Sequence, residues 1–102
     1  MSGVIDTHSG RHYAVVDVSD NSTTVYAGKC RLWGVYVNTV LSAHACPLED
    51  STTAIYTLIA SLAAGQNLAF PGTQFNTSLV VDPDDAATGN ITVCYEPLVG
   101  VV

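Results

Sequence analysis

The chain has 102 residues, a mass of 10.7 kDa and a formal net charge of −6, from nine Asp and Glu against three Lys and Arg. Nucleic-acid binding needs clustered positive charge, so this balance excludes it. Residues 1–11 lack the basic and apolar regions of a signal peptide, and no apolar run reaches the roughly 20 residues of a membrane helix. We therefore expect one domain that is made in the cytoplasm, remains soluble and contacts no membrane.

Apolar residues are more frequent than a free-standing domain of this size requires. Hydrophobic residues make up 48% of the chain, charged residues make up 12%, and the mean hydropathy is +0.32. A small domain has a large surface for its volume and should therefore be more polar than average. The excess predicts that a partner, or further copies of the same chain, covers part of the surface.

The first 11 residues are small, polar and aperiodic, which predicts a flexible or partner-bound N-terminal arm over 1–11. Its apolar content is too low for it to fold alone, so we expect it to become ordered against a neighbouring molecule. His8 and His12, with Asp6 nearby, have a spacing that could ligate a metal on a helix. The segment has no helical pattern, and we predict no metal site there.

From residue 12 onwards, short segments rich in β-branched and aromatic residues recur about every ten residues, separated by turn residues. These segments predict strands over 12–18, 23–27, 31–39, 53–61, 68–70, 79–82 and 90–96. Polar and glycine-rich clusters predict turns over 19–22, 49–51, 64–67 and 71–72, and an acidic loop over 83–89. The pattern over 40–47 is indistinct, and the apolar residues 98–102 are expected to form a docked tail or a final edge strand.

The third of these strands has the clearest pattern. Its alternation places Trp33, Val35 and Val37 on one face, which we expect in the core. Tyr36 lies on the opposite face, nearer a subunit contact. Gly34 either makes room for a neighbouring aromatic ring or marks a bulge.

The stretch 54–64 could form either a strand or a helix. Its Ala and Leu content favours a helix, but the β-branched residues Thr53, Ile55, Thr57 and Ile59 occupy alternate positions and favour a strand. With this strand included, the chain has six to eight short strands, typical of an all-β fold. We therefore predict a single β-sandwich or jelly-roll-like barrel over 12–102.

Three cysteines, Cys30, Cys46 and Cys94, occur without a C-x-x-C pair. An odd number of thiols in such a chain predicts reduced, packed side chains, with one disulfide and a spare thiol as the alternative. His44 and Cys46 could meet Cys94 in a three-ligand zinc site, although nothing in the sequence requires it.

The acidic cluster Asp82, Asp84 and Asp85 is interpreted as a solvated loop, because Pro83 interrupts the spacing of a calcium loop. The sequence has no G-x-S-x-G motif of a serine nucleophile, and Cys46-Pro47 lacks the flanking residues typical of a catalytic cysteine. We predict no catalytic residue, no metal, no cofactor and no enzymatic activity.

Three segments carry a resemblance to a known family: Arg31-Leu32-Trp33-Gly34-Val35-Tyr36-Val37-Asn38, Pro71-Gly72-x-x-Phe75-x-Thr77 and Asn90-Ile91-Thr92-Val93-x-Tyr95. Small virion proteins of tailed phages have an early R-L-x-G-V-Y-V-N strand, a later P-G-x-x-F-x-T-G-L segment and a final G-x-x-T-V-x-Y strand. The chain resembles this family over roughly two thirds of its length, with Ser78 where the family has glycine.

The resemblance implies a non-enzymatic virion structural protein with a β-sandwich fold. We expect a capsid decoration or cement protein that binds the major capsid protein lattice on the outer surface of the head, where acidic charge keeps it away from packaged DNA. Self-association as a homotrimer is expected. The residues expected at the oligomer or capsid interface are Tyr36, Arg11, His12 and Tyr13. The alternative is a virion-displayed module that binds a receptor or carbohydrate.

Overall fold

The computed structural model describes residues 10–98, so residues 1–9 of the predicted arm and residues 99–102 of the predicted tail lie outside the described residues. Between residues 10 and 98 the chain forms eight β-strands and no helix. The strands are β1 (His12–Asp17), β2 (Thr23–Tyr26), β3 (Cys30–Thr39), β4 (Cys46–Asp50), β5 (Thr53–Leu58), β6 (Asn67–Phe75), β7 (Leu79–Val81) and β8 (Asn90–Pro97). The prediction of an all-β fold is confirmed.

The strands form two four-stranded sheets in which all neighbours are antiparallel. Sheet I has the order β1-β8-β3-β6, and sheet II has the order β2-β7-β4-β5. The edges of sheet I are therefore β1 and β6, and those of sheet II are β2 and β5. Strand β3 is central because it pairs on both sides, with β8 and with β6.

Inward-facing apolar side chains from both sheets form one core. Because successive residues of a strand point to opposite faces, alternate positions of β3 and β8 contribute to it. No polar or charged residue in the described part of the chain is buried. The largest fully buried side chains are Phe75, Leu32, Leu48, Leu79, Ile91, Val18, Val35, Val37, Val81 and Val93.

Trp33 does not belong to this core, and its predicted position is wrong. The register of β3 with both neighbouring strands shifts between Leu32 and Gly34. Such a bulge inserts one residue and changes which side chains share a face. As a result Leu32 and Val35 are both buried, while Trp33 is only partly buried and faces away from the core. The glycine does mark a bulge, one of the two predicted roles.

The predicted turn at Pro71-Gly72 is also wrong, because both residues lie inside β6. Thr73 pairs with Leu32 and Ala69 pairs with Gly34, so three residues of β6 lie opposite the single bulged residue of β3. Gly72 has φ +75°, which glycine adopts without the steric cost of a side chain. The strand therefore bulges outwards at this point instead of reversing.

The turn predicted over 49–51 begins later than expected. Glu49 and Asp50 belong to β4, and the chain reverses at Ser51, which has φ +59°. Strand β5 then covers Thr53–Leu58, so the strand interpretation of this stretch is confirmed and the helical alternative is excluded. It ends earlier than predicted, with Ile59 beyond its last residue.

The side chain of Asp50 connects the turn between β4 and β5 to the loop between β6 and β7. Its carboxylate accepts hydrogen bonds from the backbone N–H groups of Asn76, Thr77 and Ser78 at 2.9, 2.9 and 3.3 Å. Hydrogen bonds to the charged form, led by the one from Asn76, lower the pKa of Asp50. The two loops at this end of the molecule are therefore held together by a single ionised side chain.

The three thiols are free, and they lie in different environments. Cys30 and Cys46 are buried, whereas Cys94 is partly exposed. Burial, with a smaller contribution from Asp50, raises the pKa of Cys30 to about 11. Burial, with a smaller contribution from Asp82, raises the pKa of Cys46 to about 11. Neither buried thiol forms appreciable nucleophilic thiolate at neutral pH.

We expect a thiol-specific reagent to modify one cysteine rapidly in the folded protein and all three after denaturation. Cys94 should react first because its side chain is accessible, whereas Cys30 and Cys46 are buried with raised pKa values. Absorbance of the released chromophore, with and without denaturant, measures both phases. Cys94→Ser should remove the rapid phase only, and a rapid phase of two thiols would contradict the packing of the core.

Candidate functional site

The outer face of sheet I carries the residues that the sequence singled out for an interface. Directly paired residues of an antiparallel sheet project from the same face, so the strand registers show which side chains point outwards. We call this surface the aromatic face. Its outward residues include Tyr13, Val15, Trp33, Gly34, Tyr36, Asn67, Ala69, Thr92 and Cys94, with Arg11 over Trp33 and the charged residues Asp17, Arg31 and Glu96 towards its ends.

Large side chains at the edge and centre of this face are open to solvent. Tyr13 is 75% exposed, Val15 is 64% exposed and Tyr36 is 45% exposed. Val15 pairs with Thr92, which also pairs with Tyr36, so one row of side chains crosses three strands. Strands β1 and β3 are adjacent to β8 on either side, which is why residues distant in sequence meet here.

In the neighbouring row, the three residues beyond Tyr13 are small and leave a shallow depression. Cys94 pairs with both Tyr13 and Gly34, and Gly34 also pairs with Ala69. A Cβ atom at Gly34 would lie 3.2 Å from the carbonyl oxygen of Leu68, which is closer than most such contacts. The backbone of β3 and β6 therefore forms part of the floor of this depression, which lies between rows that carry aromatic rings.

Trp33 borders the depression in a fixed position. The Arg11 guanidinium carbon lies 4.0 Å from the centre of the indole ring, a cation–π contact. The indole Nε1 donates a hydrogen bond to Oε1 of Glu96 at 3.1 Å. Below the ring lies Gly72, where a Cβ atom would be 2.7 Å from the indole Cη2. The bulged strand thus presents a supported aromatic ring on the surface.

The opposite end of the aromatic face is polar. The side-chain Nδ2 of Asn38 donates hydrogen bonds to Oδ1 of Asn90 at 2.8 Å and to Oγ1 of Thr92 at 2.9 Å. Since Thr92 is the cross-strand partner of Tyr36, these amide and hydroxyl groups lie beside an exposed ring. The face can therefore combine ring contacts with directional hydrogen bonds.

Three of the four residues predicted at an interface lie together on this face. Tyr13 and Tyr36 point outwards by their register and exposure, and Arg11 lies over the ring of Trp33 on the same face. His12 points to the opposite side of β1, and its ring centre lies 5.9 Å from that of Tyr95. An interface role for these residues stays a prediction. Val15 was missed, although it shares the alternation and the edge strand of Tyr13.

The zinc-site alternative is not supported by the positions of its residues. Cys46 points into the core from sheet II, whereas Cys94 lies on the outside of sheet I. His44 instead has Nδ1 3.8 Å from Oδ1 of Asp84, and both side chains are exposed. Over residues 10–98, no three His, Cys, Asp or Glu side chains are grouped closely enough to hold a metal ion. His8 and Asp6 lie outside the described residues.

The outer face of sheet II has a different character. Glu49 pairs with Val80 on that face, and its pKa is raised by burial and by the nearby carboxylate of Asp82. Asp84 and Asp85 follow in an exposed loop, as predicted for the acidic cluster. Acidic charge therefore concentrates on sheet II and its connection to β8, while aromatic and small side chains concentrate on sheet I.

No protein-family model, curated protein or solved structure matches the chain. A function is therefore proposed from the fold and the site. In the described part of the chain, no helix has the length and apolar character needed to cross a bilayer. The feature that most needs an explanation is the aromatic face, because it exposes rings that a protein surface usually covers.

Proposed function

We propose that this protein is a capsid decoration protein of a tailed phage, without enzymatic activity. It binds the assembled major capsid protein lattice on the outer surface of the head through its aromatic face, and it self-associates as a homotrimer. The observation that carries the proposal is the exposure of Tyr13, Val15 and Tyr36 at 75%, 64% and 45% on one face of a sheet.

The composition of the aromatic face suits a protein–protein contact. The cores of such contacts are enriched in Tyr, Trp and Arg and depleted in Lys, Glu and Asp. Tyr13, Tyr36, Trp33 and Arg11 provide the enriched types, and the one carboxylate beside the indole, Glu96, already accepts its hydrogen bond. Rigid rings lose little conformational entropy on binding, which favours them as contact residues.

The charge distribution supports the same orientation. If the aromatic face binds the shell, the acidic side chains of sheet II, such as Glu49 and Asp82, face away from it. Packaged DNA repels acidic protein, which favours the outside of the shell. A protein that binds the assembled lattice and not the free subunits stabilises that lattice by mass action.

We expect the double variant Tyr13→Ser/Tyr36→Ser to bind DNA-free phage heads about 1,000-fold more weakly than the unmodified protein, because central aromatic contacts contribute about 2 kcal/mol each. Both side chains are exposed, so the fold should be retained. Co-sedimentation with heads at increasing protein concentration measures the affinity. Val40→Ser is the matched control, since Val40 is 54% exposed but lies outside the aromatic face.

Equal binding by the double variant and the Val40→Ser control would show that the aromatic face does not contact the shell. Failure of the unmodified protein to bind heads at any concentration would overturn the decoration function. Sedimentation equilibrium of the isolated protein tests the trimer separately, because self-association does not require the shell.

A carbohydrate-binding module is the second candidate, favoured by one specific observation. The Asn38, Asn90 and Thr92 side chains form a polar network beside the exposed ring of Tyr36. Sugars bind to such combinations of ring faces and directional hydrogen-bonding groups. Saturable binding to an immobilised glycan, lost on Tyr36→Ser and accompanied by no binding to heads, would support this function instead.

A further inference from the structure

Among the four edge strands of the described sheets, β5 is the longest that contains neither a charged residue nor a proline. Proteins protect sheet edges with charged residues, proline, bulges or very short strands. Strand β6 contains Pro71 within a bulge, and β2 has four residues and an irregular register. Strand β1 follows Arg11 and ends at Asp17. Strand β5, with the sequence TAIYTL, has six residues and no charge or proline, and its one irregularity is a one-residue bulge at Ile55 in its pairing with β4.

An apolar groove adjoins this edge strand. It lies between β5 and β6, where the edges of the two sheets face each other, and has a volume of about 370 Å³. Two isoleucines of this region are open to solvent, with Ile55 40% exposed and Ile59 69% exposed. The groove is lined mainly by Tyr56, Leu58, Ile59, Leu62, Leu68 and Phe70.

The same side of the molecule is uncharged. No Asp, Glu, Lys, Arg or His occurs from Ser51 to Val81, a segment that contains β5, β6 and β7. The whole chain nevertheless has a formal net charge of −6. Two copies of an acidic protein repel each other in most orientations. The β5–β6 side is the surface on which a second copy can approach without placing like charges in contact.

We propose that β5 pairs with β5 of a second copy, antiparallel and across a two-fold axis. The pairing joins the two copies of sheet II into one continuous eight-stranded sheet. The two apolar grooves then face each other across the axis, so the exposed Ile59 of each copy is covered by the other. This contact goes beyond the proposed decoration function and uses the edge of sheet II, which meets the aromatic face only at Asn67 and Ala69 of β6.

Two-fold pairing suits the sequence of this edge because the same surface must complement itself. The nearest carboxylate, Asp50, precedes β5 by three residues, between Glu49 and Ser51. Antiparallel pairing places the two Asp50 side chains at opposite ends of the joined strands, where they do not repel. Each is also engaged by its own loop through Asn76, Thr77 and Ser78.

The contact has a defined place in the proposed assembly. A trimer formed through other surfaces leaves three β5 edges available, and each can pair with a β5 edge of the next trimer. On a shell, such two-fold contacts would connect neighbouring decoration trimers laterally. The pairing uses neither Tyr13 nor Tyr36, the exposed rings of the aromatic face, so either interaction can fail without the other.

The test compares Ile55→Lys with Thr24→Lys, using the full-length protein over a wide concentration range. Both side chains are exposed, and both lie in edge strands of sheet II, but Thr24 belongs to the opposite edge, β2. Sedimentation velocity measures association, and hydrogen–deuterium exchange measures protection of the β5 amides. In the unmodified protein, we expect protection of β5 to increase with concentration.

Ile55→Lys should weaken this association about tenfold or more, since like charges brought close across antiparallel strands repel, and Thr24→Lys should leave it unchanged. Circular dichroism checks that each variant is folded, and Thr57→Lys provides a second exposed position in β5. Exchange of the β5 amides that does not vary with concentration would overturn the proposal, and so would equal weakening by Thr24→Lys. Binding to phage heads is measured separately and tests only the decoration function.

Discussion

Replacement of Phe75 by Ala should lower the free energy of unfolding by about 3–5 kcal/mol. Phe75 is the largest fully buried side chain, with 0% of its surface exposed. It lies at the end of β6, paired with Cys30 of β3, and it projects into the core between the two sheets. The loss combines the transfer of the ring to water with a cavity that the surrounding strands fill only partly. It is a large fraction of the stability of a small domain.

Equilibrium denaturation in urea, followed by circular dichroism, measures this loss. The matched control is Phe70→Ala, which removes the same ring from the same strand. Phe70 is only partly buried and lines the groove between β5 and β6, so its loss should cost about 1–2 kcal/mol. An equal cost for the two variants would contradict the position of the core.

Replacement of Gly72 by Ala should destabilise the protein by about 2–4 kcal/mol and displace Trp33 from its position on the surface. Two effects combine. Gly72 has φ +75°, where a Cβ atom is strained, and that Cβ atom would lie 2.7 Å from the indole Cη2. The indole must then move, which separates it from Arg11 and Glu96.

Gly65→Ala separates the two effects. Gly65 has φ +88°, close to that of Gly72, but the nearest atom to its added Cβ would be the Tyr36 hydroxyl oxygen at 3.9 Å. It should therefore show the backbone cost alone, about 1–2 kcal/mol. Because Trp33 is the single tryptophan of the sequence, its fluorescence should shift in Gly72→Ala and not in Gly65→Ala. Unchanged fluorescence in both variants would contradict the packing of the indole over Gly72.

Much of the fold could be predicted from sequence because strand signals are local. The alternation of apolar and polar residues in β8 matches the burial of Ile91 and Val93, and β-branched residues correctly identified β5. The start of β4 was indistinct because its apolar segment, Cys46-Pro47-Leu48, is short, contains a proline and is followed at once by Glu49 and Asp50. Their burial depends on pairing with β5 and β7, which local sequence does not specify.

The errors at Trp33 and at Pro71-Gly72 have one common cause. Each segment looks ordinary by itself, as a regular strand and as a turn. In the fold they are opposite each other, and the bulge of β3 is matched by a larger bulge of β6. A bulge of this kind is set by the register between two strands that are far apart in sequence, so no pattern within either segment reveals it.

The candidate site was predictable in its residues but not in its shape. Tyr36 was identified from strand alternation, and Tyr13 was named with it among the expected interface residues. Their meeting on one face depends on β8 lying between β1 and β3, an order that sequence does not reveal. The depression at Gly34 likewise requires Cys94 and Ala69 as its cross-strand partners.

The position of β8 between β1 and β3 also determines when the protein can fold. In sheet I, β1 pairs with β8 and with no other strand, although most of the described chain separates the two in sequence. During synthesis, β1 can therefore pair only after β8 has left the ribosome. Loop closure over such a distance is slow, which predicts folding in milliseconds to seconds after the strands have been released. Until then Tyr13 and Val15 lie in an unpaired segment, where chaperones and premature association with other chains compete with folding.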